Sequence, residues 1–250
     1  MAFTPIGLDD LVASADLQIR RDRKYLVHAS TLADIVSSLL ESDASVLTID
    51  GRQRFRYESV YFDTPDLVSY FSSARRRPRR FKVRTRSYLD TAQCVLEVKT
   101  RDARGRTVKH RRPHDIANHR QLNADSHPFL AGIHETAGAT GALQPVLTTA
   151  YRRTTLLVDR SSRVTIDVDL TWAAPDGCTV ELASVALVET KTTGPPCAVD
   201  RALWHRGRRP VSISKYCTGL AALRPELPAN KWHRILGRYF AEATEDRVRP

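Results

Sequence analysis

Apolar and polar positions alternate over many short stretches of this chain, and a period of two is the pattern of a half-buried strand. Ile19–Val27, Arg54–Phe62, Arg80–Tyr88, Gln93–Arg101, Thr107–Arg112, Val146–Val158, Arg163–Leu170 and Thr179–Lys191 all read this way. Asp102-Ala103-Arg104-Gly105 and Pro175-Asp176-Gly177 supply turns between them. Helical spacing is rarer. Ser30–Leu40 carries Leu32, Ile35, Val36, Leu39 and Leu40 on one face, with Ser30 expected as its N-cap. Thr64-Pro65-Asp66 opens a short helix with Leu67, Tyr70 and Phe71, and the segment His114–Gly141 reads as helical and loop-rich. Val199–His205, Lys215–Leu223 and Asn230–Ala241 are expected to be helices. No internal repeat and no linker divides the chain. The expected organisation is an N-terminal segment 1–18, one domain over 19–223, and a C-terminal helix and tail over 224–250 that packs on the same domain.

The strands carry an anomaly. One face of Arg80–Tyr88 presents Arg80, Lys82, Arg84, Arg86 and Tyr88; the other presents Phe81, Val83, Thr85 and Ser87. The next strand groups Val95, Glu97, Lys99 and Arg101 opposite Cys94, Leu96, Val98 and Thr100, and the following one groups Thr107, Lys109 and Arg111. Val185, Leu187, Glu189 and Lys191 share a face further on. A Glu-x-Lys pair occurs at Glu97/Lys99 and at Glu189/Lys191, with Asp22/Lys24 as a shorter analogue. These could be ordinary solvent faces. Against that, like charges on neighbouring strands repel by up to about 1 kcal/mol per opposed pair unless an anion lies between them. If the sheet curls into a barrel, the same faces line a bore, where cations neutralise phosphate oxygens and carboxylates hold a divalent metal.

Composition sharpens this. The 250 residues carry 39 Lys plus Arg against 28 Asp plus Glu, a net charge of +11, and only seven of the cations are lysine. A polyanionic partner is implied. No stretch approaches the roughly 18 apolar residues of a membrane span, and Met1–Asp10 lacks the build of a secretory signal, so a cytoplasmic location is expected. Cys94, Cys178, Cys197 and Cys217 lie far apart without a Cys-x-x-Cys pair and read as reduced thiols, mostly packing residues. The eight histidines show neither triad nor metal-ligand spacing. The run Arg75-Arg76-Arg77-Pro78-Arg79-Arg80 fits a nucleic-acid patch, a mobile loop that draws in polyanions, or a plain solvated loop. Aromatic residues are 7% and are not interleaved with cations, which disfavours nucleic acid.

In order along the chain, Lys24-Tyr25, Tyr61-Phe62-Asp63-Thr64, Lys82-Val83-Arg84-Thr85-Arg86-Ser87-Tyr88, Leu96-Glu97-Val98-Lys99, Val188-Glu189-Thr190-Lys191 and Ser214-Lys215-Tyr216 resemble the VTC domain. This is the polyphosphate polymerase branch of the triphosphate tunnel metalloenzymes, related to the CYTH phosphatases. The resemblance runs from about Arg20 to Leu220. It implies an α+β fold in which an antiparallel eight-stranded closed β-barrel forms a tunnel, with helices packed outside. It also implies transfer of the γ-phosphate of ATP onto inorganic polyphosphate, assisted by Mn²⁺ or Mg²⁺.

Carried over by position, Arg84, Arg86, Lys99, Arg153 and Arg163 are the expected phosphate-handling residues of catalysis. Lys24, Lys82, Lys109, Lys191 and Lys215 are expected to hold the acceptor chain or the nucleotide phosphates. Glu189 is the expected metal ligand, with Glu97, Asp22, Asp167 and Asp169 as further candidates. Asp167 and Asp169, on the same face as Arg163 by alternation, serve equally well as structural partners of the arginines. Two departures stand out: Asp22 occupies a position where many relatives have Glu, and Ser212 stands where a further lysine is expected. Three functions are compatible with the residues: the polymerase, a metal-dependent hydrolase of tripolyphosphate or nucleoside triphosphates with the same fold, and a non-enzymatic binder of polyphosphate or nucleic acid.

Overall fold

The computed structural model describes residues 3–14, 20–40, 42–182 and 184–241. Its elements are β1 (Thr4–Ile6), α1 (Leu8–Ser14), β2 (Arg21–His28), α2 (Ala29–Leu40), β3 (Ser45–Leu47), β4 (Phe55–Asp63), α3 (Val68–Ala74), β5 (Arg80–Tyr88), β6 (Gln93–Arg101), β7 (Thr107–His114), α4 (Ser126–Ala131), β8 (Gln144–Val158), β9 (Ser162–Ala173), β10 (Thr179–Leu182), β11 (Val185–Thr192), α5 (Ala198–His205), α6 (Lys215–Leu223) and α7 (His233–Tyr239), with a 3-10 turn at Thr140–Ala142. The class is α+β, with an eleven-stranded sheet in the order β2-β11-β9-β8-β4-β5-β6-β7 and three short strands off that path. The order ends at β2 and at β7, so among the described residues the sheet is open rather than the closed eight-stranded barrel implied by the family resemblance. The character of β7 fits an edge: it is largely exposed and carries Pro113, which has no N–H to donate.

β5, β6 and α6 have the expected bounds. The expected strand Thr179–Lys191 is two strands, β10 ending at Leu182 and β11 beginning at Val185. β1 and β3, three residues each and paired in parallel, are too short to leave an alternation signal. Ser30 is not an N-cap, because α2 begins at Ala29 directly after β2, where the Ala29 N–H donates to the Ser184 carbonyl at 3.0 Å. Ile19, the expected first residue of the first strand, lies outside the described residues.

The chain divides into two compact units. The first comprises residues 1–55, 151–170 and 182–212. In it β11 runs antiparallel between β2 and β9, and one face of these strands packs Tyr25, Val27, Val164, Ile166, Ala186 and Val188 against Ile35 and Leu39 of α2 and Val199 and Leu203 of α5. Asp200 is fully buried behind this sheet, accepting from Tyr25 Oη at 2.6 Å, Thr190 Oγ1 at 2.7 Å and the Cys197 N–H at 3.0 Å. A buried carboxylate is tolerated because it is fully hydrogen-bonded, and here it ties β2, β11 and α5 together.

The second unit comprises residues 56–150, 171–181 and 213–250. β4, β5, β6 and β7 form an antiparallel run. One face packs Val60, Phe62, Phe81, Val83, Leu96 and Val98 against Leu130 of α4 and Ile133. Asp63, also fully buried, accepts from the Thr64, Ser69 and Tyr70 N–H groups, each at 2.9 Å, and from Tyr216 Oη. It thereby caps α3, whose own N-terminal N–H groups have no intrahelical partner, and anchors α6. The Tyr216 ring stacks on Tyr61, with centroids 5.2 Å apart.

Gly219 on α6 is a steric requirement: a Cβ there would lie 2.1 Å from Cδ1 of Trp172, whose indole N–H donates to the Lys215 carbonyl at 2.8 Å. Gly219→Ala is expected to cost about 1–3 kcal/mol or more through overpacking. Chemical denaturation followed by tryptophan fluorescence checks this; an unchanged midpoint would contradict the packing.

Candidate phosphate-binding site

Each unit presents one sheet face built from alternating polar positions, turned away from its apolar core. In the second unit the register sets the side chains in rungs across three strands. Arg80 is opposite Arg101, which is opposite Thr107; Lys82, Lys99 and Lys109 form the next rung, and Arg84, Glu97 and Arg111 the one after. Glu97 is the acid of this group. Its side chain is 2% exposed, and four cations surround it: Arg84 through Nε at 2.8 Å, Lys109 at 2.6 Å, Arg111 at 2.9 Å and Arg86 at 3.8 Å. Burial alone would raise its pKa, but Arg84, Arg86 and Lys109 hold the carboxyl far below the usual carboxylate range. Burial lowers the pKa of Lys109, with Arg86 and Arg111 adding to it, while Glu97 opposes. Arg84 Nη1 also donates to Tyr61 Oη at 3.0 Å, which fixes the guanidinium from a second side.

Lys82 donates to Ser214 Oγ at 2.7 Å. Ser214 is the N-cap of α6, and its Oγ accepts the Cys217 N–H at 3.2 Å. Lys215 opens that helix and is half-buried. Lys99 is exposed on β6. Ser212, which stands where a lysine is expected, is exposed two residues before Ser214.

In the first unit the corresponding face is centred on Glu189, the Cα partner of Lys24 on β2 and of Thr165 on β9. Lys24 Nζ and Lys191 Nζ both approach its Oε1, at 3.3 and 3.1 Å. Burial again works against ionisation, but Lys191, Lys24 and Arg153 hold the Glu189 pKa well below its ordinary value. Burial lowers that of Lys191, opposed by Glu189. Arg163 is the partner of Lys191 in register, and Asp22 is its partner on the other side. Asp22 accepts from Arg20 Nε at 2.9 Å.

Both oxygens of Asp167 are engaged by Arg153, at 2.6 and 2.8 Å, a bidentate pair that locks the guanidinium plane. Asp169 does not follow the expected alternation. Its backbone is in the left-handed region, at φ 53°, which interrupts the period of two. Its carboxylate pairs with Arg152 at 2.9 Å, the neighbour of Arg153 on the opposite side of β8.

Among the described residues no group of three or more His, Cys, Asp or Glu side chains could hold a metal ion. The donor chemistry at Glu189 nevertheless fits a hard dication of the kind that takes one or two carboxylates and completes its shell with substrate phosphates and water. Glu97 and Asp167 fit less well, because arginine or lysine engages both oxygens of each, whereas the two lysines at Glu189 both approach Oε1.

Sequence reasoning placed Arg111 on the cationic face of its strand and Tyr61 in a family segment but gave neither a role, and it gave none to Lys231. Arg111 shares the alternation of Lys109, and Tyr61 shares a face with its partner Arg84, so both were accessible to it. Lys231, which donates to the Ser73 carbonyl at 3.4 Å, has no periodic signal. The histidines that make contacts do so structurally: His119 bonds Glu58 at 2.8 Å and the Ile116 carbonyl at 2.7 Å. All four cysteines are free; Cys94, Cys197 and Cys217 are buried and Cys178 is exposed.

The VTC domain family matches residues 19–224, and the chain belongs to that family. A search of curated proteins found no match. Among solved structures, HpAC1 from Hippeastrum, described as an adenylyl cyclase candidate with a dominant triphosphatase activity, is similar at TM-score 0.51 and 15% identity, over 80% of this chain and 94% of that one. PH1819 from Pyrococcus horikoshii OT3 matches at TM-score 0.47 and 12% identity, over 82% and 98%. A candidate adenylate cyclase from Vibrio parahaemolyticus matches at 0.42 and 13%, over 83% and 87%. No helix among the described residues is long and apolar enough to cross a membrane.

Glu97→Gln removes the counter-charge of four cations and is expected to destabilise the fold by about 3–5 kcal/mol. Because the folded pKa of Glu97 is depressed, its contribution is full above the unfolded pKa of about 4.3 and is lost as the pH falls below that. Urea denaturation between pH 7 and pH 3 is therefore expected to show a steeper acid loss in the parent than in Glu97→Gln. Parallel profiles would contradict the assignment.

Proposed function

We propose that this protein is a phosphotransferase that moves the γ-phosphate of ATP onto inorganic polyphosphate. The observation that carries the reading is the pair of buried or half-buried carboxylates, Glu97 and Glu189, each embedded in more cations than it can neutralise. Membership of the VTC family supports it.

Phosphoryl transfer asks little covalent chemistry of a protein; positioning and charge neutralisation do most of the work. A terminal oxygen of the polyphosphate chain attacks the γ-phosphorus, the bond from that phosphorus to the β–γ bridging oxygen breaks, and ADP leaves with the bond's electrons. No serine, cysteine or histidine nucleophile is needed. Arg84, Arg86, Lys99, Arg153 and Arg163 neutralise the oxygens of the transferring and flanking phosphates. Lys24, Lys82, Lys109, Lys191 and Lys215 position the acceptor chain and the nucleotide phosphates. Glu97 and Asp167 hold Arg84 and Arg153 in place before substrate arrives, which reduces reorganisation during transfer. Glu189, with Asp22 nearby in register, is the residue to hold Mg²⁺ or Mn²⁺. That ion, when bound, supplies charge neutralisation on the phosphate oxygens.

A second reading, hydrolysis of tripolyphosphate or nucleoside triphosphates, is favoured by the fold likeness to HpAC1 and its described triphosphatase activity. Water then replaces the polyphosphate acceptor. Purified protein with ATP and Mn²⁺ separates the two: long-chain polyphosphate plus ADP is expected, orthophosphate without polymer supports the hydrolase, and binding without turnover supports a binder. Glu189→Gln is expected to lower turnover by two or more orders of magnitude, in the range seen when one electrostatic stabiliser is lost. Unchanged metal dependence in that variant would overturn the Glu189 assignment.

A further inference from the structure

The charged face of β5 changes character along its length. Tyr61, Arg84, Glu97 and Arg111 share one rung, Ser59, Arg86 and Val95 the next, and Tyr57, Tyr88 and Gln93 the one after. Charge gives way to an apolar position and then to two aromatic rings. The Tyr57 and Tyr88 rings lie 5.1 Å apart between centroids at an interplanar angle of 62°, and the guanidinium carbon of Arg86 is 5.9 Å from the centre of the Tyr57 ring. Neither ring belongs to the apolar core of this unit; both are half-buried, and Gln93 beside them is exposed. Arg86 is held more loosely than Arg84. It approaches Glu97 only to 3.8 Å, and its Nε has no hydrogen-bond partner among the described residues, whereas Arg84 engages Glu97 at 2.8 Å and Tyr61 at 3.0 Å. A cross-strand aromatic pair adds to the stability of a sheet. Its place in line with the two arginines gives this one a second use.

We infer that Tyr57 and Tyr88 form a stacking subsite for the base of a nucleoside triphosphate whose phosphates lie against Arg84 and Arg86. This rests on the proposed function and deepens it by giving the nucleoside a place. The order of groups along the face, cations first, then the rung with Val95, then the rings, is the order of phosphates, sugar and base in a nucleotide. Arg84 and Tyr88 are four residues apart on one strand. At a rise of roughly 3.4 Å per residue that is about 13 Å, a span that an extended nucleotide covers from its terminal phosphate to its base. Gln93, in the same rung as the rings, carries both a donor and an acceptor for a base edge. Stacking on an aromatic ring is open to a nucleotide and closed to inorganic polyphosphate, so the two tyrosines let the site tell the phosphate donor from the acceptor chain.

The test measures the binding of ATP and of tripolyphosphate to the full chain and to Tyr88→Leu, Tyr88→Phe and Tyr57→Leu. Tyr88→Leu keeps an apolar side chain and removes the ring; it is expected to weaken ATP binding about tenfold, in the range of one lost stacked base, while tripolyphosphate affinity changes less than about twofold. Tyr57→Leu carries the same expectation and stands in if Tyr88→Leu fails to fold. Tyr88→Phe is expected to retain ATP affinity, which separates the ring from its hydroxyl. Equal losses for ATP and tripolyphosphate in the folded leucine variants, or no loss of ATP affinity in either, overturn the subsite while leaving the phosphotransferase reading intact. A loss in Tyr88→Phe as large as that in Tyr88→Leu also overturns it. A parent protein that binds neither ligand overturns both.

Discussion

The structure of the second unit turns on one buried carboxylate. Taking Glu97 out of water is costly, and the cost is met only because Arg84, Arg86, Lys109 and Arg111 close around it. The same contacts restrain four long, rotatable side chains that would otherwise repel one another. One acid among four cations fixes their positions without cancelling their charge, so the face remains strongly attractive to an anion. Glu189 does the same in the first unit, at a smaller scale, with Lys24 and Lys191.

Behind each charged face a second buried carboxylate does purely structural work. Asp63 joins the end of β4 to the start of α3 and to Tyr216, and Asp200 joins β2, β11 and α5. The sequence segments that marked the family therefore divide into two kinds. Arg84, Arg86 and Glu189 lie on the charged faces, whereas Asp63 and Tyr216 hold elements in place. Rigid backing of this kind is what allows a charged face to stay ordered despite its internal repulsion.

The strands that position the site were legible because one-sided burial imposes a period of two, and β5 and β6 have the expected ends. The cation rungs followed from that alternation. Legibility failed where the period broke or the element was short. The left-handed backbone at Asp169 sends its carboxylate to Arg152, and nothing in the residues around it announces that turn of the chain. β1 and β3 are only three residues each. Strand pairing at the ends of the order is a long-range property, and alternation says which face a residue takes, not what lies beyond the last strand. Lys231 reaches the Ser73 carbonyl through tertiary packing alone, and how many cations close around Glu97 and around Glu189 depends on the pairing of strands.

β7 gives these charges another use. As the last strand of the hydrogen-bonded order it has, among the described residues, one flank of backbone donors and acceptors without a neighbouring strand, the kind of flank on which a second chain can template itself. Lys109, Arg111 and Arg112 on that strand repel a like-charged copy, and Pro113 removes one donor. The cations proposed to hold phosphate also guard the strand against pairing with a second copy. Stripping them to weaken ligand binding would expose a seed for aggregation.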